Sequence, residues 1–266
     1  MSELEYEIVN VRIYNKNIWD FCNSKRFLVS VVVVAHQRKY NLGETLYSIV
    51  KQKTDFDFEI VIIDDASTDG TEKIIEKECG EFIQNKRVKH IKICTRMGYT
   101  KPSYIGAAAS DGEYIVFQPS DIIPIWPDGG LQDQAIQKLI EALDKDTVAT
   151  FARECRVFGG NMVGPEGWRE NPKILKGMSN DLFTAKAHAS SKGAAWFSLG
   201  AIRWTDYRRL TDFRAPYPDS RLSAELNKDG RDLKFLDDII AVHFPHDREL
   251  LNKRSSRWWT VGKEPF

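Results

Sequence analysis

Cysteine is scarce. Four residues, Cys22, Cys79, Cys94 and Cys155, stand far apart in a chain of 266. Their spacing contains no CxxC pair and no Cys/His finger pattern, which argues against a structural zinc site. The density is also too low for a disulfide framework and fits a reducing compartment, here read as the cytoplasm. An excess of one charge is missing too, because Lys plus Arg and Asp plus Glu both number 38. Zero net charge argues against a general nucleic-acid binder that works by neutralising phosphates, though it leaves room for a local basic patch. No apolar run approaches the length of a membrane span. The start, MSELEYEIVN, is acidic and lacks the basic and apolar regions of a signal peptide. Attachment to a membrane surface through partners stays open. No GxGxxG follows the first long apolar strand and no GxxxxGK(S/T) occurs, so dinucleotide oxidoreductases and P-loop NTPases lose most of their support. Repeats and low-complexity segments are absent as well.

What is present is a chain that is 42% hydrophobic and long enough for one sizeable core. Residues 1–26 read as an arm with one short strand, where Val9, Val11 and Ile13 alternate with polar neighbours. An orderly series follows. FLVSVVVVAH (Phe27–His36) and FEIVIIDDAS (Phe58–Ser67) are β-branched runs of the kind buried on both faces of a parallel sheet. VKHIKIC (Val88–Cys94) reads as a third strand with alternation, and EYIVFQ (Glu113–Gln118) as a fourth. Between them lie helical patterns at Gly43–Gln52, Thr68–Cys79 (entered through a capping Thr or Asp) and Pro102–Ser110, with another at Leu131–Leu143. This alternation predicts an α/β fold, a doubly wound and mostly parallel sheet flanked by helices in a single domain. After Val148 the pattern weakens into Gly- and Pro-rich loops. It resumes as a helix over Pro218–Gly230 and the apolar runs of RDLKFLDDIIAVHFPH. A nucleotide-binding half (27–150) and an acceptor half (151–250) are expected within one domain, followed by a tail (251–266).

Ligands of open parallel sheets bind at the carboxyl ends of the strands. That rule selects Ala35–Gln37, Asp64–Asp65, Thr95–Arg96 and Gln118–Asp121. Acids facing an anionic nucleotide are useful there only if they hold a metal or accept hydrogen bonds from a base or sugar.

Several segments resemble family 2 glycosyltransferases, which have the GT-A fold. VSVVVVAHQRKYNLGETLYSIVKQ with FEIVIIDDASTDGT is similar to the opening of that family, and GEYIVFQPSD to its GEYIxFLDxDD segment. PDSRLSAELNKDG resembles the later EDxDLxxRLxxxG, and HFPH a terminal HxxH; together the matches run from about Leu28 to His246. The resemblance implies an inverting transfer of a sugar from a nucleotide-sugar donor, UDP-linked by preference, to an acceptor hydroxyl on a glycan or other molecule. It implies a divalent cation, Mn²⁺ or Mg²⁺.

By that resemblance Asp65 accepts the N3–H of uracil, a role an acceptor-only carboxylate suits, and His36 packs on the base at the end of the strand closed by Ala35. Taken alone, Asp65 reads equally as a helix-start cap, with Asp64 the structural partner. Arg96 and Lys101, flanking MGYT, are candidates to bring charge to the diphosphate, and the residues alone leave open which of them reaches it. Asp121 matches the metal-ligating acid of the family's DxD motif, but Pro119-Ser120-Asp121 supplies one acid where the family has two. Ser120 is left to contact ribose or water. His243 completes the metal site, with His246 behind it. Asp219 stands where the family has its general base, although Pro218 replaces the Glu that precedes it. Trp196 falls where the family lines the sugar and acceptor. The competing readings are a non-catalytic nucleotide-sugar- or glycan-binding domain and, less favoured for want of a Gly-rich loop after the first strand, a nucleotidyltransferase. Oligomer formation is left open.

Overall fold

The computed structural model describes residues 11–13, 27–156, 169, 183–184, 199–210, 225–226 and 228–243. In chain order the elements are β1 (Val11–Ile13), β2 (Phe27–Ala35), α1 (Lys39–Val50), β3 (Phe58–Asp65), α2 (Thr71–Glu78), α3 (Gly80–Gln84), β4 (Val88–Ile93) and α4 (Thr100–Ala108). They continue with β5 (Gly112–Phe117), β6 (Ile122–Ile125), α5 (Ala135–Glu141), β7 (Thr147–Arg156), β8 (Phe183–Thr184), β9 (Gly200–Arg203), α6 (Trp204–Leu210) and β10 (Asp232–His243). The strands form one sheet in the order β1-β4-β3-β2-β5-β9-β7-β10-β6, with β8 paired to β7.

The block β4-β3-β2-β5 is parallel throughout, as the β-branched runs predict. Val31, Val33, Ile60 and Ile62 face one helical layer with Leu42, Leu46 and Ile49 of α1 and Ile75 of α2. Val32, Val34, Val61 and Ile63 face the other with Ala107 of α4 and Tyr207 of α6. Burial on both faces explains why these strands carry no polar alternation. Antiparallel pairs then extend the block, β1 on β4 at one side and β9 on β5 at the other. The boundary drawn at residue 150 falls inside β7, so the two expected halves share one sheet.

Some expectations shift. The helix expected from Gly43 starts at Lys39, and the one expected from Leu131 is confined to Ala135–Glu141. Helix α2 is entered through Gly70 (φ 86) rather than a capping Thr or Asp. Asp69 serves instead from one residue earlier, accepting the Thr71 amide (3.2 Å) and hydroxyl (2.6 Å). The alternation read in VKHIKIC does not mark a solvent-facing side, because Lys89 and His90 are both buried. Lys89 is neutralised from below by two acids. Segment IIPI, assigned to no element above, is the edge strand β6; Pro124 is tolerated there because its backbone faces away from β10, where its carbonyl accepts the Gln132 amide at 3.0 Å and no N–H is required for the ladder. Of the helix expected over 218–230 the structure describes residues 225–226 and 228–230, with helical backbone at 225–226 and 228; the rest lies outside the described residues, as do the arm apart from Val11–Ile13, the tail, and Asp219, Trp196 and His246. No helix among the described residues is long and apolar enough to cross a membrane.

Helix α4 approaches the sheet at Gly106. A Cβ there would stand 2.5 Å from Val32 Cγ1 and 3.2 Å from Ile63 Cγ1. Ala is the better helix former by about 1 kcal/mol, but the obstacle is a stiff β-branched side chain on a central strand. Gly106→Ala is therefore expected to lose roughly 1–2 kcal/mol net, read as a lower urea midpoint with an unchanged m-value. A rise in midpoint would show that α4 slides outward freely.

Candidate nucleotide and metal site

The site residues collect where β2, β3, β4 and β5 end. Asp65 closes β3 and is 1% exposed. Its Oδ1 accepts the Met97 amide at 2.7 Å and its Oδ2 the Gly98 amide at 2.9 Å. Each carboxylate oxygen has two acceptor positions, so one remains on each. Burial raises the Asp65 pKa; the Met97 and Gly98 amides and the charges of His36 and Arg96 offset that only in part. His36 is fixed through Nδ1, 2.5 Å from the Asp65 carbonyl oxygen. The structure thus brings Asp65, His36 and the Arg96 loop together as expected. Ala35 ends β2 with its side chain fully buried in the core, which leaves it only backbone groups to offer. Lys101 lies in the first turn of α4, half-buried.

Beside Asp65, Asp64 is a structural acid. Its Oδ1 accepts the Ser67 amide (2.8 Å), and Ser67 Oγ in turn accepts the Gln37 amide (3.0 Å). Two adjacent turns are joined in this way, and both hold a non-glycine residue at positive φ: Gln37 at 52° and Ala66 at 59°. Such backbone costs roughly 1–3 kcal/mol and persists where its surroundings impose it. Burial pushes the Asp64 carboxyl up, but His90 and the Ser67 hydrogen bonds outweigh it and leave the pKa lowered. His90 Nε2 stands 3.9 Å from Asp64 Oδ2, beyond hydrogen-bond reach, and neither atom has a hydrogen-bond partner.

Asp121 is presented by a turn. The Ile122 amide donates to the Pro119 carbonyl at 3.1 Å. The Ile122 carbonyl accepts Thr45 Oγ1–H (3.2 Å) and the Gln118 amide (3.0 Å). Gln118 is itself held by Ser48 Oγ at 3.0 Å. Ser120 and Asp121 are both buried. His243 ends β10 opposite Ile122 in the register of β6, and its Nε2 lies 3.4 Å from Asp121 Oδ2. A bulge in β10 between Leu236 and Ile240 sets this approach, re-registering the strand before it pairs with β6. The expected pairing of Asp121 with His243 is present. One member was missed by sequence reasoning: Arg38 Nη2 also stands 3.4 Å from Asp121 Oδ2. The signal available was its place two residues past His36 at a strand end.

Among the described residues no group of three or more His, Cys, Asp or Glu converges as a metal site. Asp121 and His243 would offer a cation one oxygen and one nitrogen ligand. Such a set leaves a divalent ion to take its other ligands from phosphate and water, and the imidazole favours a transition-metal ion such as Mn²⁺ over Mg²⁺.

The family model described as Glycosyl transferase family 2 matches residues 30–202, well over half of the chain. A Haemophilus influenzae protein described as an uncharacterized glycosyltransferase is 28% identical over 158 residues, 55% of this chain and 45% of that protein. The Staphylococcus aureus poly(ribitol-phosphate) beta-N-acetylglucosaminyltransferase TarS is 34% identical over 95 residues, 35% of this chain and 16% of that protein. The chain therefore spans less than half the length of these relatives. Among solved structures, a mannosyltransferase from Pyrobaculum calidifontis in complex with GDP-Man and Mn²⁺ superposes with a TM-score of 0.60 at 16% identity, covering 89% of this chain and 65% of that one. Residues 1–349 of TarS in complex with UDP give 0.54 at 18%, covering 80% and 60%. GalNAc-T7 with UDP, GalNAc and Mn²⁺ gives 0.57 at 18%, covering 84% and 44%. At these identities the likeness speaks for the fold, and the fold is GT-A. The family follows from the matched model, which runs from within β2 into β9: the chain belongs to glycosyl transferase family 2.

Proposed function

We propose that the chain transfers a glycosyl group from a nucleotide sugar, UDP-linked by preference, to an acceptor hydroxyl with inversion. The observation that carries this reading is the placement, at one sheet edge, of a buried acceptor-only carboxylate (Asp65) and of Asp121 flanked by His243 and Arg38. Asp65 offers its remaining lone pairs to the uracil N3–H while His36 packs on the base. Arg96 and Lys101 bring positive charge to the diphosphate, and Ser120 contacts ribose. Asp121 and His243 would hold the divalent cation. A cation bound there supplies positive charge to the departing diphosphate. Trp196 stacks on the donor sugar or the acceptor. Asp219 takes the acceptor proton as the acceptor oxygen bonds to C1; the C1–O bond to the diphosphate breaks, and its electron pair leaves with the nucleoside diphosphate.

The UDP of two structural neighbours supports a uridine donor, and the GDP-Man of the third supplies the alternative to test. Cysteine usage supports a cytoplasmic place of action, with any membrane association made through partners. The experiment is nucleoside diphosphate release from a panel of UDP- and GDP-linked sugars with Mn²⁺. Turnover of a UDP sugar is expected. Asp219→Asn should lower it on the order of a hundredfold or more while UDP binding is kept. Tight UDP binding without turnover of any donor would make this a binding domain instead.

A further inference from the structure

Arg38 occupies a position that bears on how a cation could enter. Its backbone is pinned from both sides. The Gln37 amide donates to Ser67 Oγ at 3.0 Å and the Lys39 amide to Asp69 Oδ2 at 2.9 Å. The Leu42 amide closes the first turn of α1 on the Arg38 carbonyl at 2.8 Å. From this fixed point the guanidinium reaches Asp121, with only 14% of its side chain exposed. Asp121 shares its Oδ2 between Arg38 and His243, both at 3.4 Å. The guanidinium stays charged at any working pH, so the single carboxylate of Pro119-Ser120-Asp121 is already charge-matched. Among the described residues a bare dication would meet no net negative charge there and a fixed positive charge within a few ångströms. A nucleoside diphosphate reverses the balance by adding at least two negative charges, and it gives the guanidinium a new partner whose geometry suits a planar fork.

We propose that Arg38 makes cation binding conditional on the diphosphate: Asp121 accepts Mn²⁺ or Mg²⁺ only with a nucleoside diphosphate present, and Arg38 shifts its ion pair from Asp121 to that diphosphate. This rests on the nucleotide-sugar reading above. The loss of one acid here, together with Arg38, makes the nucleotide the missing anion.

The test measures Mn²⁺ binding by the electron paramagnetic resonance signal of free Mn²⁺, with and without UDP; the protein-free UDP–Mn²⁺ complex is measured separately. Wild type is expected to bind Mn²⁺ at least tenfold more tightly with UDP than alone. Arg38→Met is expected to bind Mn²⁺ alone at least tenfold more tightly than wild type, and UDP without metal about tenfold more weakly. Arg38→Lys, which keeps the charge, should resemble wild type with Mn²⁺ alone. Arg38→Gln carries the same expectation as Arg38→Met should that variant not fold. Equal Mn²⁺ affinity of wild type and the uncharged variants, with UDP still binding, overturns the role of Arg38 and leaves the donor reading standing. No UDP binding by wild type under any condition removes the donor reading, and this proposal with it.

Discussion

Replacing Lys89 with methionine is expected to destabilise the fold by roughly 3–5 kcal/mol, the cost of removing one partner from a buried ionic cluster. Lys89 Nζ lies 2.9 Å from Glu59 and 3.0 Å from Asp111, and it donates to the Ala109 carbonyl at 2.8 Å. Glu59 also accepts Ser30 Oγ–H and the Asp111 amide, each at 2.6 Å. The Gly112 amide donates to Ser30 Oγ at 2.8 Å. The cluster thus ties together the starts of β2, β3, β4 and β5, at the opposite end of the sheet from the site. Methionine fills the space of the lysine stem but leaves two acids buried with no cation. Net stabilities run to about 5–15 kcal/mol, so the loss is a large share, and Tm should fall on the order of 10 °C at about 2–4 °C per kcal/mol. Adding Glu59→Gln and Asp111→Asn to Lys89→Met removes the stranded charges and should recover most of the loss. An unchanged Tm in the single variant would show that water or proton uptake compensates the two acids.

The second large effect is chemical. Asp121→Asn preserves shape and volume at the Pro119–Ile122 turn but removes the one carboxylate of this stretch. Turnover of the donor is expected to fall by about 10²–10³, the usual scale for losing a group that stabilises charge developing on the leaving side. Stimulation by Mn²⁺ should vanish with it. The turn itself should persist, because it is held by backbone and by Thr45, Gln118 and Ser48, while the loss of the ion pair with the largely buried Arg38 should lower Tm by a few degrees. An Asp121→Asn protein with full activity would remove the metal from the mechanism.

What the chain displays in its letters follows from how local each feature is. Strands β2 and β3 are legible because burial on both faces leaves an unbroken run of Val and Ile, and Asp65 is legible because it ends such a run. Asp121 could be placed because it follows the fourth strand of an alternating series. Strand β6 was not legible. Four residues with a proline carry little strand preference, and their partner β10 comes much later in the chain. Lys89 was misread as part of an ordinary alternation because its two neutralising acids lie far from it in sequence. Arg38 escaped notice because the direction of a loop side chain depends on the backbone around it. Here that backbone includes the positive φ of Gln37 and two hydrogen bonds from distant turns.

The place of β10 has a further consequence for the order in which the molecule is built. Strand β6 has its main ladder with β10, and Asp121 meets His243 only across that ladder. Nearly half of the chain separates the two residues. On a ribosome, the parallel block and Asp65 emerge and can close their local crossovers long before His243 is synthesised. The Asp65 side therefore has the means to form early, while the Asp121–His243 side waits for the last described strand to slot between β7 and β6. Late, long-range closure of this kind is slow. Under the proposed function, acquisition of metal-dependent activity would report on docking of the final strand, and acquisition of nucleotide binding on the block that precedes it.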